Sequence, residues 1–188
     1  MRINKNYANA SGHTFDLNPS SLTVLMGKSH LPRRQIGSRA MADWDIRFIE
    51  LAKHIAGWSK DPSTKVGCII VGADREIRST GFNGFPRGID DSEDRLTNRA
   101  LKYPLICHAE ENAIMHAARI GVSLKGSTAF VTWPPCSRCA RSLIQAGIRE
   151  VVYSTKNKPP QRWEEDFKIS TDMLREAGIN IRPIDIPE

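Results

Sequence analysis

Two short segments set the terms for this chain: CHAEENAIMHAA, Cys107 to Ala118, and PPCSRCA, Pro134 to Ala140. The first puts His108 and Glu110 two residues apart, and the second puts Cys136 and Cys139 three apart, 28 residues after His108. A lone His at a helix start is commonly a cap, and a C-x-x-C pair occurs in redox motifs and in structural zinc sites alike. The pairing of the two segments is more demanding. If each opens a helix, Cys136 and Cys139 share one face in a first turn, and a helix N-terminus favours the thiolate form of both. One imidazole and two thiolates then make a three-ligand zinc site with its fourth position open. A structural finger would want a fourth protein ligand, and Cys107, the immediate neighbour of His108, points elsewhere.

An open position on zinc lowers the pKa of a water from ~15.7 to about 7. Glu110 is too close to His108 in sequence to be a comfortable extra ligand, and it is placed to shuttle that water's proton. His-x-Glu followed by Pro-Cys-x-x-Cys is the signature of the zinc nucleobase deaminases.

The alternation of apolar and breaker residues around these segments predicts the fold. Asp43 can cap a helix whose apolar residues recur at Trp44, Phe48, Leu51, Ile55 and Trp58. DPSTK, Asp61 to Lys65, breaks it, and strands are expected at Val66–Gly72 and around Ile77–Phe82. The stretch from Asn83 to Pro104 is too rich in Gly, Pro and charge to read as core, so a long loop is expected there. Next come a helix from about His108 to Ile120, a strand over Ser127–Trp133, and a helix from Cys136 to before Gly147. A strand at Glu150–Ser154, an amphipathic helix ending at Gly178 and a last strand, INIRPI, complete the pattern. Strands alternating with helices after residue 107 imply parallel pairing, and the opening hairpin should be antiparallel. The expectation is an α/β fold: one three-layer α/β/α sandwich around a mixed sheet of about five strands.

Charge and cysteine usage exclude several classes. The net charge is +6, but residues 1–40 hold six basic residues against one acid, Asp16, which leaves +1 for residues 41–188. A nearly neutral body lacks the phosphate-binding footprint of a nucleic-acid protein. The basic segment reads as a disordered extension; a targeting peptide and a translation start at Met41 are the alternatives. MGKSH, Met26 to His30, contains a GKS, but the first Gly of a P-loop would fall at Leu22. No apolar run approaches the ~20 residues that span a bilayer. Four cysteines with a tight C-x-x-C suit a reducing, cytoplasmic setting better than a disulfide framework.

Over residues 42–155 the sequence resembles the deoxycytidylate (dCMP) deaminases of the cytidine deaminase superfamily. The resemblance is carried by SKDPSTKVGCIIV, STGFNGFPRG, KYPLICHAEENAI and PPCSRCARSLIQAGIREVVY. It implies a cytidine deaminase-like fold, Zn²⁺ on His108, Cys136 and Cys139, and Glu110 as the catalytic acid–base. It also implies hydrolysis of dCMP to dUMP and ammonia, supplying dUMP for thymidylate synthesis, in a homo-oligomer with possible dCTP/dTTP control. Asn83 resembles the family's base- and sugar-contacting asparagine; an Asn-Gly turn residue is the plainer reading. Lys60, Lys65, Arg87 and Arg138 are candidate phosphate contacts. Two departures stand out: GFNG where the family has GYNG, and KNKPPQRWEEDF, Lys156 to Phe167, which is unlike the best-known members. A tRNA adenosine deaminase, a free-nucleoside cytidine deaminase and a catalytically silent zinc scaffold are the alternatives. The intact Glu110 speaks against the last.

Overall fold

The computed structural model describes residues 38–157 and 160–186. The extension expected over residues 1–40 therefore lies outside the described residues, apart from its last three. Helix α1 runs Ser38–Ala56, so Asp43 is inside it rather than its cap and pairs with Arg47 one turn on, at 2.9 Å. Ala40, Met41 and Ala42 are strong helix formers that carry the helix upstream of the expected start.

Strand β1 (Gly67–Val71) and strand β2 (Ile77–Phe82) form the antiparallel hairpin. Helices α2 (Glu93–Thr97) and α3 (Arg99–Leu105) follow, then α4 (Ala109–Ile120), β3 (Thr128–Val131) and α5 (Ser137–Gln145). Strand β4 (Glu150–Ser154), a 3-10 turn at Gln161–Trp163, α6 (Glu164–Glu176) and β5 (Asn180–Ile184) complete the order. The sheet order is β2-β1-β3-β4-β5, with β1 antiparallel to both neighbours and β3, β4 and β5 mutually parallel. The mixed five-stranded sheet is the one expected. The segment from Asn83 to Pro104 is a correction: it holds α2 and α3, helices of five and seven residues, too short to leave a readable apolar period. Asn98 caps α3 by accepting the Ala100 N–H at 3.0 Å.

Period-2 alternation divides the sheet residues between two cores. On one face Ile69, Val71, Phe130 and Val152 meet Phe48, Ile49, Ala52 and Ile55 of α1. On the other, Cys68, Ile70, Ala129, Val131 and Val151 meet alanines of α4, Leu143 of α5 and Leu174 of α6. The second face positions the site, because α4 and α5 both begin at its rim. Gly81 sets how closely α4 lies on β2: a Cβ there would stand 2.2 Å from the Ala109 carbonyl and 2.4 Å from the Ala113 nitrogen. Any larger residue would push α4, and His108 with it, off the sheet.

Candidate active site

His108 is the N-cap of α4 and Cys136 the N-cap of α5, so two helix N-termini converge on one point. His108 Nδ1 lies 3.4 Å from Cys136 Sγ and 3.3 Å from Cys139 Sγ, and the three ligand atoms all fall within 4.8 Å of one another. A tetrahedral zinc with Zn–S of about 2.3 Å and Zn–N of about 2.0–2.1 Å needs S···N edges of roughly 3.5 Å. The donor set and its spacing therefore fit that ion, with Nδ1 as the imidazole donor.

Neighbouring elements hold each half of the cluster. Glu111 reaches back to accept the His108 backbone N–H at 3.4 Å, and its other oxygen lies 3.2 Å from Arg138 Nη2 on α5. From α6, Asp166 accepts the Ser137 backbone N–H at 3.0 Å and also the Ser137 hydroxyl. Ser170, also on α6, donates to the Pro135 carbonyl at 2.7 Å. The loop that presents Cys136 is thus anchored on both sides.

Glu110, the second residue of α4, is 4% exposed. Burial pushes its carboxyl up to about 7, opposed by the neighbouring His108. Cys136 is pushed down to about 4, chiefly because the Cys139 thiol donates to it, with His108 adding to the effect against burial. Cys139 is correspondingly raised by its hydrogen bond to Cys136 and by burial. His108 rises to about 9 through its hydrogen bond with Cys136. The surroundings thus favour the thiolate at Cys136, and burial raises the carboxyl beside it.

His108, Glu110 and Cys136 line a cavity of about 390 Å³ together with Asn83, Asp61, Lys102, Arg99, Trp133 and Arg162, among others, with Cys139 buried behind them. Of the residues singled out in the sequence, His108, Cys136, Cys139 and Glu110 are brought together, and Asn83 shares their cavity. Asn83 is also the turn residue of the plainer reading. Its Nδ2 donates to the Thr64 carbonyl at 2.9 Å and to Asp61 at 3.3 Å, and its Oδ1 accepts the Val66 N–H at 2.7 Å. The candidate phosphate cations do not line the cavity. Lys60 pairs with Asp91 at 2.8 Å, Arg138 with Glu111, and Lys65 and Arg87 are exposed. Charge alone selected them, and charge does not report which side of a loop a side chain takes.

Sequence reasoning missed Asp61 and Lys102, a buried ion pair 3.0 Å apart, and the cavity-lining Arg99, Arg162, Trp163 and Phe167. DPST carried a signal for the first: an Asp followed by Ser and Thr makes an Asx turn, with the carboxylate accepting the next backbone N–H groups.

Fold and site together define a zinc-type nucleobase deaminase, and the chain belongs to the cytidine and deoxycytidylate deaminase family. The family model for the cytidine and deoxycytidylate deaminase zinc-binding region matches residues 42–155. The chain is 42% identical over 149 residues to an uncharacterized deaminase in the luxG 3′ region of Aliivibrio fischeri, covering 78% of this chain and 98% of that protein. It is 40% identical over 148 residues to the deoxycytidylate deaminase of Mus musculus, covering 74% and 79% of the two chains. The solved structure of the dCMP deaminase from the cyanophage S-TIM5, in complex with dCMP and dUMP, superposes with a TM-score of 0.60. That protein is 30% identical, over 73% of this chain and 94% of its own.

Proposed function

We propose that this chain hydrolyses dCMP to dUMP and ammonia. The observation that carries the reading is the buried carboxyl of Glu110 beside the His108, Cys136 and Cys139 cluster, with Glu110, His108 and Cys136 opening on one cavity. The family and the two named dCMP deaminases support it.

His108, Cys136 and Cys139 hold Zn²⁺, which when bound supplies the Lewis acidity that brings a water's pKa down toward neutrality. Glu110 accepts a proton from the attacking water and delivers one to N3 of the cytosine ring as the oxygen adds to C4. It then carries the water's second proton to the departing amino group, so that the C4–N bond breaks with loss of NH₃ and the ring becomes uracil. Burial raises the carboxyl above its ordinary value, which makes it a stronger acceptor of the water's proton. Asn83 takes one N–H on Oδ1 and leaves a second lone pair there for the nucleoside.

The phosphate contact falls to Arg99 and Arg162. Both line the cavity, and neither takes part in an ion pair among the described residues. Arg162 sits over the Trp163 ring, 5.8 Å from its centroid, in the segment where the sequence departs from the family's best-known members. Two guanidinium groups suit a dianion by geometry as well as charge.

Residues 1–40 stand outside this catalytic unit in the proposal, since their composition supplies few apolar groups to bury. Removing residues 1–37 should leave turnover unchanged. No helix among the described residues is long and apolar enough to cross a membrane, and four unpaired cysteines suit a reducing, cytoplasmic setting. A homo-oligomer and control by dCTP and dTTP complete the proposal, to be read from sedimentation with and without each nucleotide.

The test is ammonia release from dCMP, dCTP, deoxycytidine and a tRNA anticodon stem side by side. The proposal expects dCMP to be turned over with the highest kcat/KM. Release from the anticodon stem alone, or a kcat/KM for deoxycytidine or dCTP that matches or exceeds that for dCMP, would overturn the substrate assignment.

A further inference from the structure

The Asp61–Lys102 pair is the most buried ion pair among the described residues, at 3% and 8% side-chain exposure, and the chemistry above makes no use of it. Such a pair is weak evidence for stability, because desolvation offsets most of the attraction. Its connections are more informative. Lys102 Nζ donates to both Asp61 oxygens, at 3.0 and 3.1 Å, and to Ser63 Oγ at 2.7 Å. Asp61 also accepts the backbone N–H of Ser63 at 2.9 Å and of Thr64 at 3.3 Å, the Ser63 hydroxyl at 2.8 Å, and Asn83 Nδ2 at 3.3 Å. These hydrogen bonds outweigh burial and hold the carboxyl below its ordinary value.

One carboxylate thus shapes the loop from Asp61 to Val66 and fastens it to α3, 41 residues away in the chain. Loop and helix are two walls of the cavity: Ser63, Thr64 and Val66 line it from one, and Arg99, Tyr103 and Ile106 from the other. Asn83 holds the loop toward the end of β2, and Lys102 is what ties it to α3. The loop belongs to no strand, and α3 is a seven-residue helix outside the sandwich. We infer that the Asp61–Lys102 pair is a positioning latch that sets the spacing of these two walls and so determines substrate affinity. This rests on the reading of the cavity as the dCMP site.

An interaction that preorganises a wall equally for substrate and transition state raises KM when lost and leaves kcat largely in place. Lys102→Met keeps the stem and removes the ammonium, leaving an unpaired buried carboxylate. Asp61→Asn/Lys102→Met removes that charge as well and retains an amide oxygen for the turn, which guards against a variant that merely fails to fold. Both zinc-loaded proteins should show KM for dCMP raised tenfold or more, with kcat per bound zinc within about threefold of the parent. The double variant should recover thermal stability relative to Lys102→Met without recovering KM. A KM unchanged in the folded double variant would assign the pair a purely structural role and overturn the latch. A parent inactive on dCMP would instead refute the substrate reading.

Discussion

Arg138 Nη2 lies 3.2 Å from Glu111 Oε1 and joins the first turn of α5 to the first turn of α4, the two helices that carry the ligand cluster. The guanidinium is 54% exposed, so the pair itself contributes no more than the ~0.2–1 kcal/mol of surface ion pairs. Its position nevertheless separates two roles. As a brace it affects how firmly His108 faces the cysteines; as a phosphate contact it would affect substrate binding. Arg138→Ala should leave KM for dCMP within about twofold and speed zinc loss to a chelator. A tenfold rise in KM would return Arg138 to the phosphate.

The ligand assignment has its own test. Cys136→Ser or Cys139→Ser replaces a soft sulfur by a hydroxyl, which zinc binds poorly. Each variant should purify with far less than one zinc per chain and without dCMP turnover. Elemental analysis of a pure, active preparation containing neither zinc nor a substitute metal would contradict the assignment.

Acid stability should carry the mark of Asp61. Its carboxyl is depressed below the ordinary 3.8 in the folded chain. A depressed carboxyl contributes stability that is fully present above the unfolded value and is lost as pH falls through the folded one. Asp61→Asn should therefore melt below the parent at pH 7, and the difference in Tm should narrow as pH falls below about 4. Comparing the two proteins cancels the acid effects common to both. A difference constant from pH 7 to pH 3 would show that the carboxylate gains nothing from Lys102 and the turn.

Much of this molecule is legible in its sequence because the informative residues are local. Val66 to Val71 is an apolar run of strand length, Gly121 takes the left-handed conformation that ends α4, and the two halves of the cluster each announce a helix start. The parts that escaped reading are those fixed by distant partners. Lys102 lies in a stretch whose Gly, Pro and charge suggest solvent, yet it is buried because Asp61 awaits it from 41 residues upstream. Arg99 and Arg162 look no different from Lys65 or Arg87 as letters; only the packing of α3 and the turn before α6 brings the first two to the cavity. Asp166 and Ser170 could not be tied to the loop of Cys136 without knowing that α6 packs beside it.

The central claim is that His108, Cys136 and Cys139 hold the metal while Glu110, buried beside them, moves the protons. Glu110→Gln keeps the size of the side chain and much of its hydrogen bonding but cannot accept a proton from water. Zinc content and dCMP turnover should be measured on the same preparation of this variant. The account predicts parental zinc, a much smaller change in substrate affinity than in turnover, and a fall in kcat of at least the ~10²–10⁴-fold typical of a general acid–base. Near-normal turnover, or loss of zinc along with the carboxylate, would contradict it.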